Sequence, residues 1–232
     1  MSHNPSRIGI ALVVFLLFPC PSFAADYQST YVTPEDLPPQ LLVPPPAEGS
    51  AAWKKDIQDV LRAQRHVSES DLAAMRDEQH VRLDSITSGL GPNFTREKLP
   101  KTFALLDHVF TDALVVTEAD KKFWHTRRPY LTDPRVKLYV DRIDSSPGYP
   151  SGHTSSMRVV AEILGVLMPD RLQDLRIRAE AIAHHREEAG AHSPSDLEGG
   201  RMLAMLIVGA LLKSDAFQDD LAAAREEIAP HD

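Results

Sequence analysis

The stretch MLAMLIVGALL, residues 202–212, constrains this chain more than any other part of it. It is apolar on every face of a helix, so a folded chain has to bury it all round. At eleven residues it is too short for a hydrocarbon core, which takes about 20. It reads as the central buried helix of a bundle, and the rest of the chain must supply the helices that cover it. No alternating apolar and polar run of useful length marks a strand, and there is no internal repeat. The expected fold class is all-α, with one domain over residues 51–232.

The expected helices follow from periodicity and punctuation. Ser50 caps a helix beginning AAWKKDI, and Ser70 starts a second through DLAAMRDEQHVRLDSI. GLGPNF is a break. Phe103, Leu106, Val109, Phe110 and Leu114 stand at helical spacing in a helix over about 97–118. Further helices are expected over about 153–168, 170–189, 194–213 and 215–228. Before them, residues 25–50 form a proline-rich arm, TPEDLPPQLLVPPPAEGS at its core, which can be neither helix nor central strand. Leu41, Leu42 and Val43 are its expected docking points.

The first 24 residues read as a secretory signal. Arg7 is the positive start, IGIALVVFLLF the short apolar core, and cleavage is expected after Ala24, or after Ala25. The only cysteine, Cys20, leaves with it, so stability after export rests on the core alone. A hydrophobic fraction of 43% is enough for such a core. The formal net charge is −8 with no long basic run, which argues against a nucleic acid partner. Periplasmic localisation follows, with no membrane attachment once the signal is removed and homo-oligomerisation left open.

Three short stretches carry anion chemistry. In KKFWHTRRPY, Lys121 and Arg128 offer a point charge and a planar fork for phosphate oxygens, and Pro129 is expected to end the helix beside Arg128. In GYPSGHTS, Ser151 brings a hydroxyl, Gly152 a backbone N–H open to close approach, and His153 a proton donor. The helix that follows adds free N–H groups. In AHHREEAGAHSPSDLEGGR, Gly190 is a natural C-terminal stop, so His192 falls in a connection rather than across the helix from Arg186. The next helix opens with Ser193 as cap and Pro194 in its first position, or with a box from Ser195 to Glu198; either way Asp196 lies one turn beyond His192. A competing reading places a metal on His184, Glu188 and His192, four apart in series.

The order K-x6-R-P, then P-S-G-H, then R-x5-H-x3-D resembles the signature of the PAP2 superfamily of phosphatases and vanadium haloperoxidases. The LLVPPPA arm, GYPSGHTS and GAHSPSDLEGGR are similar to the bacterial class A non-specific acid phosphatases. The resemblance implies the helical bundle of that superfamily and an exported acid phosphatase acting on small-molecule phosphomonoesters, with phosphotransfer to alcohols left open. It implies His192 as nucleophile forming a phosphohistidine, Asp196 as its orienting carboxylate and His153 as general acid and base. Lys121, Arg128, Ser151, Gly152 and Arg186 would bind the phosphate. It implies no metal and no cofactor. One position departs: His185 stands where the family usually has serine before the arginine.

Other residues near the motifs are ambiguous. His125 could contact substrate, His184 and His185 could flank the pocket, and Trp124 and Tyr149 could wall it or simply pack in the core. His66, His80 and His108 read as surface or packing residues. The alternative functions are a vanadate-dependent haloperoxidase using the same pocket, a lipid phosphatase, and a non-catalytic helical module that binds phosphate or metal.

Overall fold

The structure, a computed structural model, describes residues 28–142 and 146–229. The expected signal, its cleavage site and Cys20 lie outside the described residues. The helices are α1 Ala51–Ala63, α2 Glu69–Asp77, α3 Asp84–Thr87, α4 Pro100–Trp124, α5 Pro129–Thr132, α6 Gly152–Leu167, α7 Leu172–Glu188, α8 Pro194–Leu211 and α9 Asp215–Ile228. Among the described residues there is no strand, and no helix is long and apolar enough to cross a membrane.

The central helix is α6, not the apolar stretch in α8. It packs against α4, α7 and α8, while α9 lies on α4. Met157, Val159, Val160, Ala161, Ile163 and Leu164 are all buried along it. At about 1.5–3 kcal/mol for each large apolar side chain, this row is a main source of the bundle's stability. Its centrality is disguised in the sequence because its first turns carry hydroxyls. They are buried as well, and Ser155 Oγ pairs with Thr117 Oγ1 of α4 at 2.7 Å. In α8 only one face is covered, by Leu197, Leu203, Ala204, Ile207 and Leu211. Met205 on the other side is 50% exposed.

Several boundaries differ from expectation for local reasons. Ser68, not Ser70, caps α2, because Ser68 and Asp71 close a reciprocal box. That helix ends at Asp77, and α3 is a separate turn rather than its continuation. Pro100 sets the start of α4. The helix continues to Trp124 and stops because His125 adopts the left-handed conformation at φ 50°. Pro129 therefore begins α5 instead of ending α4, and Arg128 is the residue that precedes it.

The arm is held by backbone groups more than by its apolar trio. Asp112, buried in α4, accepts N–H bonds from Thr30, Tyr31 and Val32 at 2.7, 2.8 and 2.9 Å. Val32, Leu37 and Leu42 are buried, whereas Leu41 and Val43 are exposed. Val43 still anchors the arm, through its carbonyl, which accepts from Tyr149 Oη at 2.6 Å.

Candidate active site

The three motif segments converge at one end of the bundle. α7 ends in a Schellman arrangement: Gly190 N–H donates to Glu187 O at 2.9 Å and Ala191 N–H to Arg186 O at 3.1 Å. Gly190 sits at φ +73°, and a Cβ there would lie 2.2 Å from the Lys137 carbonyl, so the turn requires glycine. His192 N–H also returns to Arg186 O, at 3.2 Å, which folds His192 back beside Arg186. Ser193 then caps α8, with Pro194 in the first position and Asp196 closing the box. Of the two caps expected here, the Ser193 one forms.

The YPSGH loop is pinned to the same helix start. Ser151 N–H donates to Asp196 O at 2.9 Å, and Tyr149 N–H to Thr126 Oγ1 at 2.7 Å. Tyr149 lies directly over Gly199, where a Cβ would come within 2.2 Å of the ring. The ring is buried and meets Trp124 edge-on at 5.9 Å. Tyr149 is thus a packing residue rather than an exposed substrate wall. Ser151 Oγ accepts from Thr154 Oγ1 at 3.0 Å, which leaves its own proton free to donate. Gly152 opens α6, and a Cβ there would stand 4.0 Å from Lys121 Nζ. Ser151 Oγ accepts from the Thr154 N–H of that first turn at 3.4 Å, and the helix start at Gly152 lies beside the lysine.

Lys121, Arg128 and Arg186 form a buried cluster of cations. Arg128 Nη1 is 3.0 Å from His192 Nε2 and donates to Ala191 O at 3.0 Å, while Nε donates to Ser146 O at 2.8 Å. Lys121 Nζ donates to Ser146 Oγ at 3.1 Å. Arg186 is 2% exposed, and its Nε and Nη1 are buried without a partner among the described residues. Burial, then the neighbouring Arg128 charge, lowers Lys121 to about 8 and Arg186 to about 10. Burial also lowers Arg128. The cluster repels itself, and among the described residues the carboxylate paired with Lys121 is a largely exposed Glu118 at 3.5 Å. This arrangement of donors suits an anion with several oxygens.

Both histidines have defined ring roles. A guanidinium can only donate, so Arg128 makes His192 Nε2 the acceptor and puts the proton of the neutral ring on Nδ1. Nδ1 faces Asp196 Oδ2 at 3.5 Å, longer than the hydrogen bond expected from the sequence. Nδ1 makes no other bond among the described residues, and such contacts often tighten only with substrate. Burial raises Asp196 to about 6, with the Asp56 charge adding to the effect. His153 Nε2 meets the carbonyl of Glu78 at 2.9 Å, so Nε2 carries a proton and Nδ1 is the exchangeable position. Burial lowers both histidines well below their ordinary value; Arg186 adds to this for His153 and Arg128 for His192.

The competing metal reading separates. His184 lies exposed beside Glu187 and Glu188, whereas His192 is buried and turned to Arg128. Among the described residues no group of three His, Cys, Asp or Glu is arranged to hold a metal. His125 is exposed at the end of α4, and His185 points to Glu78. His108 binds the Tyr31 hydroxyl at 3.0 Å, far along α4 from these motifs. Sequence reasoning missed Glu78, Ser146 and Asp56. Each sits in a stretch that looks like solvated surface or a turn, and no local signal marks it.

The architecture and motif order define a superfamily before any particular relative. The PAP2 superfamily profile matches residues 103–218, and the chain belongs to that superfamily. It is 25% identical over 229 residues to a non-specific acid phosphatase of Salmonella typhimurium (strain LT2), covering 92% of each chain. It is 28% identical over 207 residues to an acid phosphatase of Zymomonas mobilis subsp. mobilis, covering 86% of this chain and 78% of that protein. Among solved structures, a bacterial vanadium-dependent iodoperoxidase shares the fold, with a TM-score of 0.57 and 17% identity. That match covers 73% of this chain and 52% of the iodoperoxidase, so this chain spans about half of its length.

Proposed function

We propose that the protein is an exported, metal-independent acid phosphatase that hydrolyses small phosphomonoesters through a phosphohistidine on His192. The observation that carries this is the meeting of a buried three-cation cradle, with two orphaned Arg186 nitrogens, and a histidine whose Nε2 lone pair faces it. The relatives named acid phosphatase support the same reading.

In the proposed reaction, His192 Nε2 attacks phosphorus while Asp196 stabilises the charge that develops on the ring. Lys121, Arg128, Arg186, the Ser151 hydroxyl and the Gly152 N–H hold the phosphate oxygens as negative charge builds. His153 Nδ1 gives its proton to the departing alcohol oxygen, then takes one from the water that attacks phosphohistidine. An alcohol in place of that water would receive the phosphoryl group, giving phosphotransfer. The cradle's own side chains do the charge stabilisation that a metal performs in other phosphatases. A bound dianion offsets the three cations, which allows His153 to be protonated at mildly acidic pH. The leader over residues 1–24 supports export to the periplasm.

The test is hydrolysis of an aryl phosphate by the purified mature protein in EDTA, with and without vanadate. Activity should survive chelation, and vanadate should inhibit by occupying the same cradle. Loss in EDTA with recovery on zinc overturns the proposal. Bromide oxidation with vanadate and peroxide, without phosphatase activity, would replace it with the haloperoxidase reading.

A further inference from the structure

α2 buries a single side chain, Met75, yet the residue that caps its C-terminus reaches the site. Glu78 is 2% exposed. Its carboxylate is gripped from α7 by two donors: Arg178 Nη2 lies 2.7 Å from Oε1 and His185 Nδ1 lies 2.7 Å from Oε2. Its backbone carbonyl is the acceptor for His153 Nε2. One residue thus joins three elements: it ends α2, its side chain is fixed to α7, and its main chain is bonded to the ring of a histidine on α6.

The consequence is geometric. The carbonyl fixes which His153 nitrogen holds the permanent proton, and so which one can exchange a proton. The carbonyl stays in place only while the end of α2 does. Apart from Met75, that end is tied by Gln79, which donates to Asp141 Oδ2 at 2.8 Å in an exposed contact. Burial opposes charge on Glu78, but the His185 and Arg178 contacts hold its carboxyl below the ordinary range, so Glu78 meets both donors as a carboxylate. Arg186 and Glu188 on α7 and Asp71 on α2 are the other charged groups acting on this cluster.

We infer that Glu78 and His185 are positioning residues for the proton donor: the buried carboxylate, closed by His185 and Arg178, latches α2 to α7 so that the Glu78 carbonyl orients His153. The inference rests on the reading of His153 as general acid. It gives His185, the residue that departs from the family pattern, a role two contacts removed from the proton donor, through Glu78.

The experiment compares kcat/KM for an alkyl phosphate and for 2,4-dinitrophenyl phosphate, whose leaving group needs little protonation. The variants are Glu78→Ala, His185→Leu and His185→Gln, with His153→Ala as reference. General acid assistance is worth about 100-fold or more, so Glu78→Ala and His185→Leu should slow the alkyl ester by about that order and the dinitrophenyl ester by less than about threefold. His185→Gln, which still offers an N–H to the carboxylate, should recover most of the alkyl ester rate. Parallel losses for both esters, or no loss for either, overturn the latch. If Glu78→Ala does not fold, the His185→Leu and His185→Gln pair carries the same test. A flat leaving-group response in His153→Ala itself overturns the general acid reading, and the latch with it.

Discussion

Replacing Arg186 with methionine should make the protein more stable and nearly inactive. The guanidinium is buried, and two of its nitrogens have no partner among the described residues. Burial and the Arg128 charge hold it at about 10 instead of 12.5, a difference of about 3 kcal/mol against the folded state. The sign follows from linkage. The group is a base whose affinity for its proton is lower folded than unfolded, so the penalty is present at every pH below about 10, including the working range. Methionine removes the charge and roughly keeps the volume, and such exchanges of buried ions for apolar groups often stabilise by about 1–4 kcal/mol. A net gain of about 1–2 kcal/mol would raise Tm by about 4 °C in a chain of this size. Loss of an oxyanion donor should lower kcat by about 100- to 1,000-fold. The assay is thermal and urea melting in phosphate-free buffer and again with phosphate, alongside aryl phosphate kinetics. Wild type should gain about 2.7 kcal/mol when phosphate stands at 100 times its Kd, and Arg186→Met should gain much less. A variant that melts below wild type without phosphate, or keeps the full phosphate-dependent shift, refutes the reasoning.

Two further outcomes are expected. Gly199→Ala places a Cβ 2.2 Å from the Tyr149 ring, which is buried and tied to Val43; overpacking should cost about 1–3 kcal/mol and lower kcat/KM by displacing the adjoining Pro150 and Ser151, and wild-type melting would contradict it. Sulfate, a dianion that does not titrate near about pH 6, should bind with proton uptake. Burial and the cations depress His153 in the unliganded site, and the anion reverses the second cause. Calorimetry in two buffers of different ionisation enthalpy reads this directly, and zero uptake or release would contradict it.

The sequence was most legible where a residue's role is set by its near neighbours. Gly190 announces the stop of α7, Ser193 and Pro194 announce the start of α8, and together they bring Arg186, His192 and Asp196 to one place. The order of the three motifs located the cluster because the family resemblance supplied the long-range contacts that periodicity cannot. Where burial depends on distant partners, the local pattern misleads. The apolar run in α8 looked central, but one side of it faces solvent, and the hydroxyl-rich α6 took its place because Ser155 finds Thr117 across the interface. Val43 has the side chain of an apolar anchor but serves through its carbonyl. Glu78, in the charged segment RDEQH, had nothing to distinguish it from a solvated helix end; its partners lie on α6 and α7, far along the chain.

In the proposed reaction His192 Nε2 becomes bonded to phosphorus, and rapid-quench trapping detects that bond. The protein is mixed with an aryl phosphate in mildly acidic buffer, quenched in alkali within milliseconds, and digested for mass spectrometry under conditions that preserve phosphohistidine. A phosphoryl group is expected on the peptide containing His192, absent from His192→Ala and discharged by acid. Turnover with no trapped species on that peptide, or labelling of His192→Ala equal to wild type, would contradict it.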